Sequence, residues 1–93
     1  MNGGEKYALT FSPNFERVTI RLKKKNPSLI QELTSRFPKL ARVPELGKPL
    51  RHGLRNYRRM HIDGSFVLLY EIREHDVYLI DLDHHDRIYK KYS

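Results

Sequence analysis

The sequence predicts an α+β domain: an N-terminal strand, an antiparallel two-helix hairpin, a three-stranded antiparallel meander and a short C-terminal tail. Three observations carry that expectation. Apolar residues of the first half recur at helical spacing, Phe15, Val18 and Leu22 in one stripe and Leu29, Ile30, Leu33 and Phe37 in another. The second half changes to short runs of strand formers, punctuated by Asp63-Gly64. The chain has 93 residues, the length of one domain with one small core. Residues 1–93 are therefore read as a single domain.

Each element follows from local chemistry. Tyr7 to Phe11 is short, apolar and rich in strand formers. Ser12-Pro13 stops it and opens a helix, because Ser can accept from a first-turn amide and Pro is tolerated at the first helical position. Asn26-Pro27 repeats that signal, so the two helices are joined by a very short turn and pair antiparallel. Pro38 kinks or ends the second helix. Pro44 to Pro49 reads as loop. Tyr57–Ile62, Phe66–Ile72 and Val77–Leu82 read as the three meander strands. Asp63-Gly64 joins the first two as a tight turn, since both residues tolerate positive φ. Arg73 to Asp76 turns the chain, and Asp86 to Ser93 is a polar tail. The helices are expected on one face of the sheet.

Charge narrows the function classes. The net charge is +7, and it is unevenly spread. Residues 1–60 hold 14 Lys/Arg against 4 Asp/Glu, and residues 61–93 hold 4 against 7. A basic segment of that density attracts polyanions, of which nucleic acid is the commonest. Cysteine is absent, which excludes disulfides, thiolate metal sites and a cysteine nucleophile. The longest apolar run, Phe66 to Tyr70, is far short of the ~20 residues that span a bilayer. Residues 1–6 show no apolar core of a signal peptide, so a cytoplasmic location without membrane contact is expected.

Candidate chemistry lies in the second half. Side chains alternate along Tyr57–Ile62, so Met60 and Ile62 suit the core, while Tyr57, Arg59 and His61 share the opposite face. Asp81-Leu82-Asp83-His84-His85-Asp86 is the densest cluster of ligand-type residues. A metal site is not expected there: neighbouring strand side chains point opposite ways, and no spaced metal motif accompanies them. No cofactor is expected either, as there is no Gly-rich phosphate loop and no GxSxG. His, Tyr, Lys and Arg remain, and they suit RNA cleavage. The RNA supplies its own 2′-OH nucleophile, so the protein need offer only a base, an acid and a cation.

Four stretches together are similar to one family. They are Leu9-Thr10-Phe11-Ser12-Pro13-Asn14-Phe15; Pro44-Glu45-Leu46-Gly47-Lys48-Pro49-Leu50-Arg51; Tyr57-Arg58-Arg59-Met60-His61-Ile62 with Val67-Leu68-Leu69-Tyr70-Glu71-Ile72; and His84-His85-Asp86-Arg87-Ile88-Tyr89. In order and spacing the chain resembles the RelE/ParE superfamily of toxins from type II toxin–antitoxin systems, and within it the RelE/YafQ-like messenger-RNA interferases. The resemblance implies a ribosome-dependent endoribonuclease that needs no metal, neutralised by a cognate antitoxin in a hetero-oligomer.

It further implies site residues. His61 or His85 would act as general acid or base, with His84 beside it. Arg59 would hold the scissile phosphate, and Tyr89 would stack on a base. Lys48, Arg51, His52, Arg55, Arg58 and Arg87 would contact messenger or ribosomal RNA. Two positions depart from the family pattern: Val67 stands where an Arg is usual, and Asp83 stands where a Gly is usual. A ParE-like toxin that inhibits DNA gyrase without catalysis is the alternative.

Overall fold

A computed structural model describes residues 6–50 and 56–92. The chain runs β1 (Ala8–Phe11), α1 (Pro13–Lys25), α2 (Pro27–Ser35), α3 (Phe37–Arg42), a 3₁₀ turn (Pro44–Leu46), β2 (Lys48–Pro49), β3 (Tyr57–Ile62), β4 (Phe66–Ile72), β5 (Asp76–His84) and α4 (His85–Tyr92). The strands form one sheet in the order β1-β5-β4-β3-β2. β3, β4 and β5 make the expected antiparallel meander, with β4 central. β1 crosses over to lie parallel to β5.

The caps form as expected. The Ser12 hydroxyl accepts from the Phe15 amide and the Asn26 side chain from the Leu29 amide, each beside a Pro at the helix start. In the β3–β4 loop Asp63 has φ 52° and Gly64 φ 91°. Ile62 pairs with Phe66, so the loop holds the three residues 63–65 that the expected strand bounds leave between them.

Four expectations are corrected. Pro38 neither kinks nor simply ends α2, which stops at Ser35; it lies in the first turn of a separate helix, α3, where its missing N–H costs nothing. The Pro44–Pro49 stretch is partly ordered by the sheet, as β2 pairs with β3 through Lys48–Arg59 and Pro49–Arg58. The C-terminal tail is helix α4. The helices are accordingly not all on one face: α1 to α3 cover one side, and α4 packs on the other through Ile88.

Alternation on β3 and β4 sorts the apolar side chains between these two faces. The first holds Phe15, Leu29, Leu33, Leu40, Ile62, Leu68, Val77, Leu79 and Leu82. Burial of such a side chain stabilises the fold by roughly 1.5–3 kcal/mol. The second holds a smaller cluster of Val67, Leu69, Ile80 and Ile88, bordered by Leu50, Tyr57, Tyr78, Tyr89 and Tyr92.

One irregularity shapes the second face. Leu69 pairs with Asp81 but Tyr70 with Leu79, so Ile80 is an extra residue on β5. The bulge places Ile80 and Asp81 on the same side, whereas strict alternation would send Asp81 into the apolar core. The Ile80 carbonyl, freed from the ladder, accepts from the Ser12 hydroxyl at 2.9 Å and the Asn14 amide group at 3.0 Å.

Candidate functional site

The second face ends where β3 and β5 finish and β4 begins, and α4 starts there. Tyr57, Arg59 and His61 point to this face as alternation requires. Arg59 and Tyr89 meet directly: the Arg59 guanidinium donates to the Tyr89 hydroxyl at 2.9 Å and lies 5.6 Å from the ring centroid. His61 is exposed, on the same ladder row as Val67 and Asp83. The His84 and His85 rings stack, with centroids 4.7 Å apart, and His84 also meets Phe66 edge-on at 5.9 Å. Arg59, His61 and Tyr89 thus lie on the second face, while His84, in the row of Ile62 and Phe66, leaves β5 toward the opposite face and stacks on His85 where β5 gives way to α4. They come from β3 and from the contiguous β5–α4 stretch, whose ends the antiparallel sheet brings to one edge.

Two carboxylates of β5 hold α4 in place. Asp81 is 1% exposed. Its carboxylate accepts from the Lys91 ammonium at 3.2 Å and the Tyr92 hydroxyl at 2.9 Å. Asp83 accepts from Arg87 at 3.1 Å and pairs with Lys91 at 3.0 Å. Burial alone would raise the Asp83 carboxyl, but the hydrogen bonds from Lys91, Arg87 and the His84 amide outweigh it and hold it below its usual value. Burial would likewise lower the Lys91 ammonium, yet its two carboxylate partners keep it above its usual value. Both groups stay charged at neutral pH, and α4 is pinned by its far end as well as by Ile88. The signal was present in the sequence: Ile88, Tyr89 and Tyr92 form a helical stripe, with Asp86 in the first turn and Lys90 and Lys91 in the last.

The basic residues divide. Lys48 is exposed beside Arg59 on the sheet edge. Arg58 also braces a loop: one nitrogen of its guanidinium donates to the Gly47 carbonyl at 2.7 Å and approaches that of Glu45 at 3.4 Å, leaving its other donors open. Arg87 bonds Asp83. Arg51, His52 and Arg55 lie outside the described residues. Val67, at the position where the resemblance calls for Arg, is wholly buried against the α4 cluster. The space an arginine head would need is filled by apolar packing.

A model of the ParE toxin of the type II toxin–antitoxin system parDE matches residues 9–89. The chain belongs to this toxin family. Among its relatives, a protein named "Putative toxin RelE4" from Methanocaldococcus jannaschii is 33% identical over 87 residues, covering 91% of this chain and 93% of the relative. A chain of the toxin–antitoxin complex RelBE2 of Mycobacterium tuberculosis superposes with TM-score 0.70 at 30% identity, covering 87% of this toxin and 93% of that chain. Escherichia coli YafQ shares the fold, with TM-score 0.65 at 14% identity over 90% of this toxin and 99% of YafQ. The protein is a RelE/ParE-superfamily toxin of a type II toxin–antitoxin system, as the four sequence stretches implied. No helix among the described residues is long and apolar enough to cross a membrane.

Proposed function

We propose that this toxin is a ribosome-dependent endoribonuclease that cleaves messenger RNA by acid–base catalysis without a metal. The observation that carries the reading is the Arg59–Tyr89 pair on the second face, with His61 on the same face and the stacked His84–His85 pair at the same end of the sheet. An Arg has five donors, and the bond to Tyr89 uses one, so the rest of the guanidinium can hold a phosphate and stabilise its developing charge. His61 or His85 takes the proton of the RNA 2′-OH, whose oxygen attacks the adjacent phosphorus. The leaving 5′ oxygen receives a proton from an acid among the same histidines. Tyr89 offers a ring for base stacking, which is worth about 1–3 kcal/mol. Lys48 and Arg87, together with Arg51, His52 and Arg55, supply further contacts to messenger or ribosomal RNA.

The partner in the cell is a cognate antitoxin that covers the basic surface, as a hetero-oligomer in the cytoplasm. The M. tuberculosis RelBE2 structure, itself a toxin–antitoxin complex, supports this. The deciding experiment is primer extension on a defined message translated by purified ribosomes, with wild type and His85→Ala side by side. Cuts within codons that appear with wild type and vanish with the variant are expected. A chain that stops growth but leaves the message intact would overturn the nuclease reading.

One observation favours a second reading. Val67 is buried at the position of the family's Arg, and the matching family model is that of ParE. A non-catalytic toxin acting on DNA gyrase predicts intact RNA, DNA damage, and full toxicity from the His61→Ala and His85→Ala variants.

A further inference from the structure

The junction of β5 and α4 holds a donor set that strand geometry argued against. On a continuous strand, positions 84, 85 and 86 would point alternately to opposite faces. Here β5 ends at His84 and α4 begins at His85, so the chain turns between them. The two imidazoles stack, inclined by 26°. Their Nδ1 atoms face one carboxylate: His85 Nδ1 is 3.0 Å and His84 Nδ1 3.8 Å from Asp86 oxygens. One donor atom from each residue lies within 4.8 Å of the others. Bonds of about 2.1 Å to a shared ion require donors within about 4.2 Å of each other. The Asp86 oxygens already meet that limit, and the His84 and His85 side chains, 36% and 44% exposed, can turn to bring the remaining donors within it.

The neighbouring charges leave this carboxylate available. Asp81 and Asp83 are engaged by Lys91, Tyr92 and Arg87, whereas Asp86 faces the imidazoles. The backbone contact that an ion at His84 Nδ1 displaces, from the Asp86 amide, is long at 3.4 Å. Two imidazoles and one carboxylate suit zinc, nickel or copper, whereas magnesium and calcium prefer all-oxygen sites.

We propose that His84, His85 and Asp86 form a binding site for a divalent transition ion such as zinc. Solvent water completes the coordination. An ion bound there occupies the imidazole lone pairs and withdraws His84 and His85 from proton transfer. That consequence rests on the nuclease reading above; the binding itself does not.

The test is titration of the full chain with zinc chloride, followed by calorimetry and by the imidazole nitrogen resonances, with magnesium chloride as the comparison. Wild type and His75→Ala, whose change lies in the β4–β5 turn, should bind one equivalent. His84→Ala and Asp86→Asn should each weaken binding at least ten-fold with unchanged circular dichroism. Equal affinity in those variants, or wild-type His84 and His85 resonances that do not move in millimolar zinc, would overturn the site. The cleavage assay separates the two readings. A chain that binds zinc but never cuts message keeps the site and loses the nuclease. A chain that cuts equally well when saturated with zinc loses the proposed block.

Discussion

The two faces of the sheet are built differently. Under α1 to α3, eleven buried side chains form a continuous apolar cluster, whereas the face under α4 buries four. The first face is closed by matched layers of Leu, Ile, Val and Phe. The second is closed by one amphipathic helix held by Ile88 and by polar bonds to Asp81 and Asp83. Stability therefore resides on the first face. The second keeps enough polar surface to present Arg59, His61 and Tyr89. Segments with few buried apolar contacts open at lower free energy than the core, and α4 fits that description.

This contrast can be broken by substitution. Leu68 is wholly buried on the first face, and Leu68→Ala should cost about 2–5 kcal/mol. Thermal unfolding would show it as a drop of the whole transition. Ile88→Ala removes the α4 anchor, and its effect should appear as faster hydrogen exchange confined to residues 85–92. A global loss from Ile88→Ala equal to that of Leu68→Ala would erase the distinction between the faces.

Gly47 should be the next most sensitive position. A Cβ there would lie 2.6 Å from both the Arg59 carbonyl and the Tyr70 hydroxyl. The contact on the Arg59 side is backbone and cannot rotate away. Gly47→Ala should destabilise by roughly 1–3 kcal/mol, as overpacking does. Denaturant unfolding would measure it, and an unchanged midpoint would contradict the close approach.

A further variant sharpens the polar half of the comparison. Tyr92→Phe removes one hydrogen bond to buried Asp81, worth about 1.5–3 kcal/mol where the acceptor is charged. The loss should appear first as faster exchange of the α4 amides, with a smaller change in the global transition than Leu68→Ala gives.

Tyr70 gives a pH-dependent difference. Its hydroxyl donates to the Pro44 carbonyl at 2.6 Å and accepts from the Gly47 amide at 2.7 Å. Burial raises its pKa above the usual 10.0, outweighing the Gly47 amide and Arg58. The fold thus favours the protonated phenol. That contribution is complete below pH 10 and is lost as pH rises through the higher folded value. Tyr70→Phe should be less stable than wild type at pH 7, with the gap narrowing above pH 10. A gap constant across that range would remove the proposed cause.

Local chemistry made much of this legible. Ser12-Pro13 and Asn26-Pro27 announce helix starts because a cap and a fixed φ act within a single turn. Alternation correctly placed Arg59 and His61 opposite Met60 and Ile62, and the family resemblance drew attention to Tyr89. Arg58, read as an RNA contact, also donates to the Gly47 carbonyl. Its sequence carries no sign of that carbonyl partner, which the chain brings near only on folding.

By itself, then, the sequence determined where α1, α2 and the three meander strands begin, which side chains of β3 share a face, and that the chain is a RelE/ParE-type toxin. Tertiary structure alone decided that β1 lies parallel to β5, that a bulge turns Asp81 toward α4, and that Val67 is sealed beneath Ile88. It also brought His84, His85 and Asp86 together by ending β5 one residue before α4 begins. The physical reason is range. Caps, turns and alternation are settled by neighbours in the chain, whereas register, crossover and helix docking depend on which distant surfaces gain most by leaving water.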